Sequence, residues 1–132
     1  MQARLRSLRR ILSVQKDLLR LAELKLGQLQ RKEMELQEDQ ERLVTYLDEE
    51  HSFTPTYART IATRLQTLAT QKQRTSVEKQ QQAERALEQV RRVGHAERRV
   101  EAMVEIMRRI EERRELDEII EAEMNRKRAS LR

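Results

Sequence analysis

Few residues in this sequence have a type and spacing that could carry out chemistry, and arginine supplies most of them. His51 and His95 are the only histidines and lie far apart in the chain. Neither has a carboxylate or a second imidazole at a metal-ligand spacing, so no metal is expected at either. Ser7, Ser13, Ser52, Ser76 and Ser130 stand in no nucleophile-type motif. No glycine-rich loop is present to cradle a phosphate. Cysteine is absent, which removes disulfides and thiolate metal sites. Neither enzyme activity nor a bound cofactor is therefore expected. The chain does carry arginine doublets at Arg9-Arg10, Arg91-Arg92, Arg98-Arg99, Arg108-Arg109 and Arg113-Arg114, with Arg4 and Arg6 near the start. Such doublets form either a solvated helix surface or, because guanidinium clusters engage anions and planar carboxylates, a basic end that recognises an acidic surface.

The elements that present these arginines follow from composition. The chain has 132 residues, of which 39% are charged, 37% apolar and only 2% aromatic, with two glycines and one proline. Sheets need turn residues at short intervals, and an ordinary core needs aromatics. Neither is supplied. No run of about 18 apolar residues exists to span a membrane. The apolar residues recur with a clean period, which argues against disorder. Long helices joined by narrow apolar seams remain, that is, a coiled coil.

Two long heptad patterns flank one break at Glu50 to Pro55. Thr54 suits a helix N-cap and Pro55 a first helical position. The spacing predicts helix one over about residues 3–50, a turn at 51–54 and helix two over about 55–128 within a single coiled-coil domain. In helix one the a positions are Leu5, Leu12, Leu19, Leu26, Glu33, Gln40 and Leu47. The d positions are Leu8, Gln15, Ala22, Leu29, Leu36, Leu43 and Glu50. Beside them runs a second stripe, Ile11, Val14, Leu18 and Leu21, which either widens the core or forms a docking face. In helix two the a positions are Ala58, Leu65, Lys72, Lys79, Ala86, Val93, Val100 and Met107. Its d positions are Ile61, Leu68, Thr75, Gln82, Gln89, Ala96, Met103 and Ile110. Beyond Ile110 the phase drifts to Leu116, Ile120 and Met124. The seam is polar from residue 71 to 82, where burial is expected to be thin and local opening easy. Gly94 interrupts helix two, as a tolerated surface glycine or a point of bending.

A connection this short makes the helices antiparallel neighbours. The expected fold is all-α: a two-helix antiparallel coiled-coil hairpin with a longer second helix. Position i then faces roughly position 105 − i, given equal rise in both helices. Leu36 falls near Leu68, and Lys72, Thr75, Lys79 and Gln82 fall near Arg31, Gln30 and Leu26. Charge agrees with this geometry. Residues 1–32 carry +7, residues 33–50 carry −7, residues 51–82 carry +4 and residues 83–132 carry +1, for a total of +5. The acidic block meets the basic stretch Arg59 to Arg74. Tyr46, Phe53 and Tyr57 gather at the bend, as a small core closing the tip or a contact site.

Residues past about 105 have no facing helix in such a hairpin. The candidate partner-binding residues are therefore those at the open end. They are Arg4, Arg6, Arg9, Arg10 and Ile11 on helix one, and Met107, Arg108, Arg109, Ile110, Arg113, Arg114, Leu116 and Ile120 on helix two. Three partner classes fit a basic helical end. Nucleic acid is the weakest, because acids accompany most basic clusters and no aromatics interleave for base stacking. An anionic membrane surface could take the basic start of helix one, giving peripheral attachment. The first sixteen residues, basic and free of acid, also have a presequence-like composition, but their apolar phase continues unbroken into helix one. An acidic ring or groove on a protein is the third class.

The opening Leu5-Arg6-Ser7-Leu8-Arg9-Arg10-Ile11-Leu12, the glutamine-rich middle and the run from Ala102 to Glu118 together resemble the FliJ family over essentially the whole chain. FliJ is the coiled-coil stalk of bacterial flagellar, or type III, protein export. The resemblance implies a non-enzymatic hairpin whose paired ends enter the pore of a hexameric export ATPase. It also implies contacts with the export gate membrane protein and with export chaperones. The corresponding location is cytoplasmic, peripheral at the inner face of the cell membrane. A generic coiled-coil adaptor is the plainer alternative.

Overall fold

The computed structural model describes residues 1–49 and 55–131. It holds two α-helices, α1 (Gln2–Asp48) and α2 (Pro55–Ser130), and no strand among the described residues. The helices pack against one another as an all-α hairpin with the second helix longer. Pro55 opens α2, where its missing N–H is no loss. The turn, with Phe53 and the Thr54 cap, lies outside the described residues. Lys127 and Arg128 close α2, a favourable charge for a helix C-terminus.

Heptad spacing decides what is buried. Leu8 and Leu36 on α1, and Ile61, Leu68, Thr75, Gln82, Ala86, Gln89, Val93 and Ala96 on α2, are the buried side chains. Each occupies an a or d position of the sequence pattern. The second stripe on α1 does not widen the core: Ile11, Val14, Leu18 and Leu21 are all exposed. Neither Gly27 nor Gly94 answers a steric demand, since a Cβ at either would meet nothing within 4 Å and neither has positive φ. No described helix is long and apolar enough to cross a membrane.

The packing divides into two compact units, Met1–Lys16 with Arg92–Arg132, and Asp17–Arg91. In the second unit, hydrogen bonds between the helices fix the antiparallel register. The Gln82 side-chain amide donates to the carbonyl of Ala22 at 3.1 Å. Lys79 Nζ donates to Glu33 Oε1 at 3.0 Å, and Lys72 Nζ to Gln37 Oε1. Near the bend, the side chains of Tyr46 and Tyr57 are hydrogen-bonded, which holds the Tyr46 phenol above its ordinary pKa.

Two expectations for this unit need correction. The stretch from 71 to 82 is polar but not thinly buried, since Thr75 is only 1% and Gln82 only 5% exposed. Threonine is small enough to sit wholly inside a layer, and Gln82 reaches a backbone carbonyl that satisfies its amide. The lysines also meet residues further along α1 than Arg31, Gln30 and Leu26. Helical side chains lean toward their own N-terminus, so a long lysine on α2 reaches toward the C-terminal end of an antiparallel α1. Lys72 thus meets Gln37 and Lys79 meets Glu33, whereas the shorter Gln82 stays near its own level at Ala22. Lys79–Glu33 is an ion pair between the helices, whereas the pairs made by Arg20, Arg42, Arg91, Arg108, Arg109 and Arg126 are local ones within a helix.

Candidate functional site

The candidate residues all fall in the first unit, which joins the start of α1 to the last forty residues or so of α2. Its core is short. Leu8, Val93 and Ala96 are buried, and Leu5, Leu12, Val100, Met103 and Met107 are half-buried. From Arg108 to Ser130 every residue of α2 is exposed. The overhang expected from helix lengths is therefore present, and α2 has no apolar cover along it. Helix formation there rests on residue type: alanine, glutamate, arginine, leucine and methionine are good formers, and Glu–Arg pairs span single turns.

On α1, Arg4, Arg6, Arg9, Arg10 and Ile11 are all exposed. None of the four arginines takes an ion-pair partner among the described residues. On α2 the arginines divide into two kinds. Arg108 is clamped by carboxylates on both sides. Its Nε and Nη2 donate to the two oxygens of Glu105 at 3.0 and 2.6 Å, and Nη1 donates to Glu112. Arg109 Nε donates to Glu105 at 3.2 Å. Arg113 and Arg114 take no such partner among the described residues. Among the candidate residues, the guanidiniums available to an acidic surface are thus Arg4, Arg6, Arg9, Arg10, Arg113 and Arg114, while Arg108 and Arg109 would first have to leave Glu105.

The sequence pattern singled out the doublets but passed over the acids that occupy one of them. The signal was present, because Glu105 and Glu112 stand three to four residues from Arg108, the separation at which side chains on one helix meet. The apolar residues Ile110, Leu116, Ile120 and Met124 are exposed as expected, and Ile106 and Ile119 join them.

The clamp has a pH signature. The Arg108 guanidinium, hydrogen-bonded to Glu105 and helped by Arg109, lowers the Glu105 carboxyl pKa from 4.5 to about 2. The same contact raises Arg108 above its ordinary value. A depressed carboxylate pKa contributes stability that is present above the unfolded value and lost as pH falls through the folded one. Glu105 should therefore stay ionised at pH 3.5, and its contribution should disappear only toward pH 2. In a carboxyl NMR titration its midpoint is expected at about 2, rising toward the ordinary value in Arg108→Ala. A midpoint near 4.5 in the unaltered chain would show the clamp to be loose in solution.

Among the described residues no group of three or more histidines, aspartates or glutamates is placed to hold a metal ion. His95 is exposed on α2, and His51 lies outside the described residues. The surface is convex helix carrying basic and apolar side chains, an arrangement suited to gripping another macromolecule. No family model matches this chain, and neither a curated protein nor a solved structure does.

Proposed function

We propose that this chain is a non-enzymatic stalk of a bacterial flagellar, or type III, protein export apparatus. In this reading its open end enters a hexameric export ATPase and couples it to the export gate and to export chaperones. The protein works at the inner face of the cell membrane as a peripheral component, in keeping with described helices that are not long and apolar enough to cross it. One observation carries the reading: α2 continues past Met107 with every side chain exposed, beyond the reach of α1. Exposed isoleucines and leucine along such a segment forfeit several kcal/mol that burial in a partner would recover. Arg113 and Arg114 supply charge for approach to an acidic pore. Steering by exposed charge weakens as salt screens it, whereas apolar docking persists.

The test is capture of the export ATPase, at low and high salt, by the full chain and by a truncation ending at Glu105. The full chain should bind and stimulate ATP hydrolysis, more slowly but still stably at high salt, and the truncation should do neither. Retention of both by the truncation would show that the overhang is not the docking end. Binding of DNA or anionic vesicles by a full chain that ignores the ATPase would replace the stalk reading with a basic helical binder.

A further inference from the structure

The overhang carries a heptad seam that keeps the d positions of the hairpin core, Ile110, Asp117 and Met124, but pairs them with Ile106, Arg113 and Ile120, each one residue before an a position. Ile106, Ile110, Arg113, Asp117, Ile120 and Met124 follow one another at alternating steps of four and three residues. That spacing places them on one face of the helix. Their exposure is uniform: Ile106 and Ile110 are 46% exposed, Ile120 49% and Met124 52%. A shallow surface groove runs along the middle of this face, lined by Ile110, Arg113 and Asp117 among others.

The order of residue types along this seam is the same from either end. Two apolar residues are followed by a charge, then the opposite charge, then two apolar residues. Laid antiparallel on a copy of itself about a two-fold axis near residue 115, the seam sets Ile106 against Met124 and Ile110 against Ile120. Arg113 then meets Asp117 of the copy, twice by symmetry. The three pairings join the two kinds of heptad position, which is how antiparallel coiled coils form their layers. Flanking charge agrees. Residues 108–114 hold four arginines and two glutamates, whereas 115–123 hold five acids and no base. The same axis lays one block over the other. A parallel pair would instead set Arg113 against Arg113 and Asp117 against Asp117.

Arg113 and Asp117 stand one turn apart in the arginine-first order, the weaker arrangement for a helix pair. Neither has an ion-pair partner among the described residues, although Arg108 and Arg109 beside them do. We infer that the overhang of α2 is a self-complementary surface that binds the overhang of a second copy antiparallel over residues 106–124, with Arg113 and Asp117 setting orientation and register. The overlap covers about 27 Å of helix. This pairing needs no other protein, so it stands or falls separately from the stalk reading.

The experiment is sedimentation equilibrium of the full chain up to roughly 200 μM, with helicity followed by circular dichroism. A monomer–dimer equilibrium is expected. Arg113→Asp should weaken it about tenfold or more, because each substitution acts twice across the axis. Asp117→Arg should weaken it similarly. The double variant R113D/D117R, which only exchanges the charges, should restore the dimer to within about threefold. Under oxidation a mixture of I110C and I120C chains should form mixed disulfides, and I110C alone should not. A chain that stays monomeric throughout, a dimer indifferent to Arg113→Asp, or I110C linking to itself would each overturn the pairing.

Discussion

Leu68→Ala should lower the unfolding free energy by about 2–4 kcal/mol, the range for truncating a wholly buried leucine whose surroundings cannot collapse. Leu68 is 0% exposed, the most enclosed apolar side chain among the described residues. Its neighbours in the d seam, Ile61 and Thr75, are buried as well. The register set by Gln82 and Ala22 brings buried Leu36 opposite it. A layer between two helices has few atoms with which to close a gap, so the cavity term should persist. Chemical denaturation followed by circular dichroism reads the effect. Leu116→Ala, on the exposed overhang, is the control and should change stability by no more than about 0.5 kcal/mol. Equal losses from the two would mean that the hairpin core is not where α1 meets α2 in solution.

The second large effect runs in the opposite direction. Glu33 and Lys79 form a half-buried pair whose side chains keep 26% and 35% of their exposure, and the second carboxylate oxygen of Glu33 is buried without a hydrogen bond. Desolvation of such a pair offsets much of its attraction. Replacing Glu33, Lys72, Lys79 and Gln82 together by leucine should stabilise the hairpin by roughly 2–4 kcal/mol, through added apolar burial and the loss of that desolvation cost. Lys79→Leu alone should destabilise it by about 1 kcal/mol or more, because Glu33 is then left partly buried without its cation. The stabilised variant should also lose definition. In a leucine-only seam nothing distinguishes one heptad offset from the next, whereas Gln82 to Ala22 and Lys72 to Gln37 each select one. Disulfide trapping between a cysteine at position 68 and a series along α1 reads this directly. The natural seam should trap near Leu36 only, and the leucine seam at positions one heptad away as well. A leucine variant that is less stable than the natural chain would show that the polar layers contribute more than register.

Most of the fold was legible before any coordinates. Heptad assignment depends only on a 3.5-residue period, and that period is a property of spacing, which the sequence displays directly. The positions it marked at Leu8, Leu36, Ile61, Leu68 and Val93 are those that become buried. Polar residues at marked positions were harder. Thr75 and Gln82 look like weak points in a list of residue types, because the list does not contain the Ala22 carbonyl that satisfies Gln82. The lean of helical side chains was equally invisible to a formula that pairs α-carbons, so Lys72 was placed one turn away from Gln37. At the open end, the arginine doublets stood out by repetition, but which of them is occupied by Glu105 depends on where its neighbours stand round the helix. The phase change after Ile110 reads as drift against the a positions of the hairpin core; the d positions continue through Asp117 to Met124, and Ile106, Arg113 and Ile120 replace the a residues beside them, with Leu116 left outside this repeat.

The first turns of α2 carry one more arrangement with a consequence for the protein's hydration. Thr60, Thr63, Thr67 and Thr70 each donate the hydroxyl proton to a carbonyl four residues back in their own helix, at 2.9 to 3.1 Å. Such back-bonding uses the only proton each side chain has. Water at this outer face therefore meets methyl groups and oxygens that can only accept, flanked by the guanidiniums of Arg59 and Arg64. A stretch that any hydropathy index scores as polar thus offers water four hydroxyl oxygens whose protons are already spent within the helix.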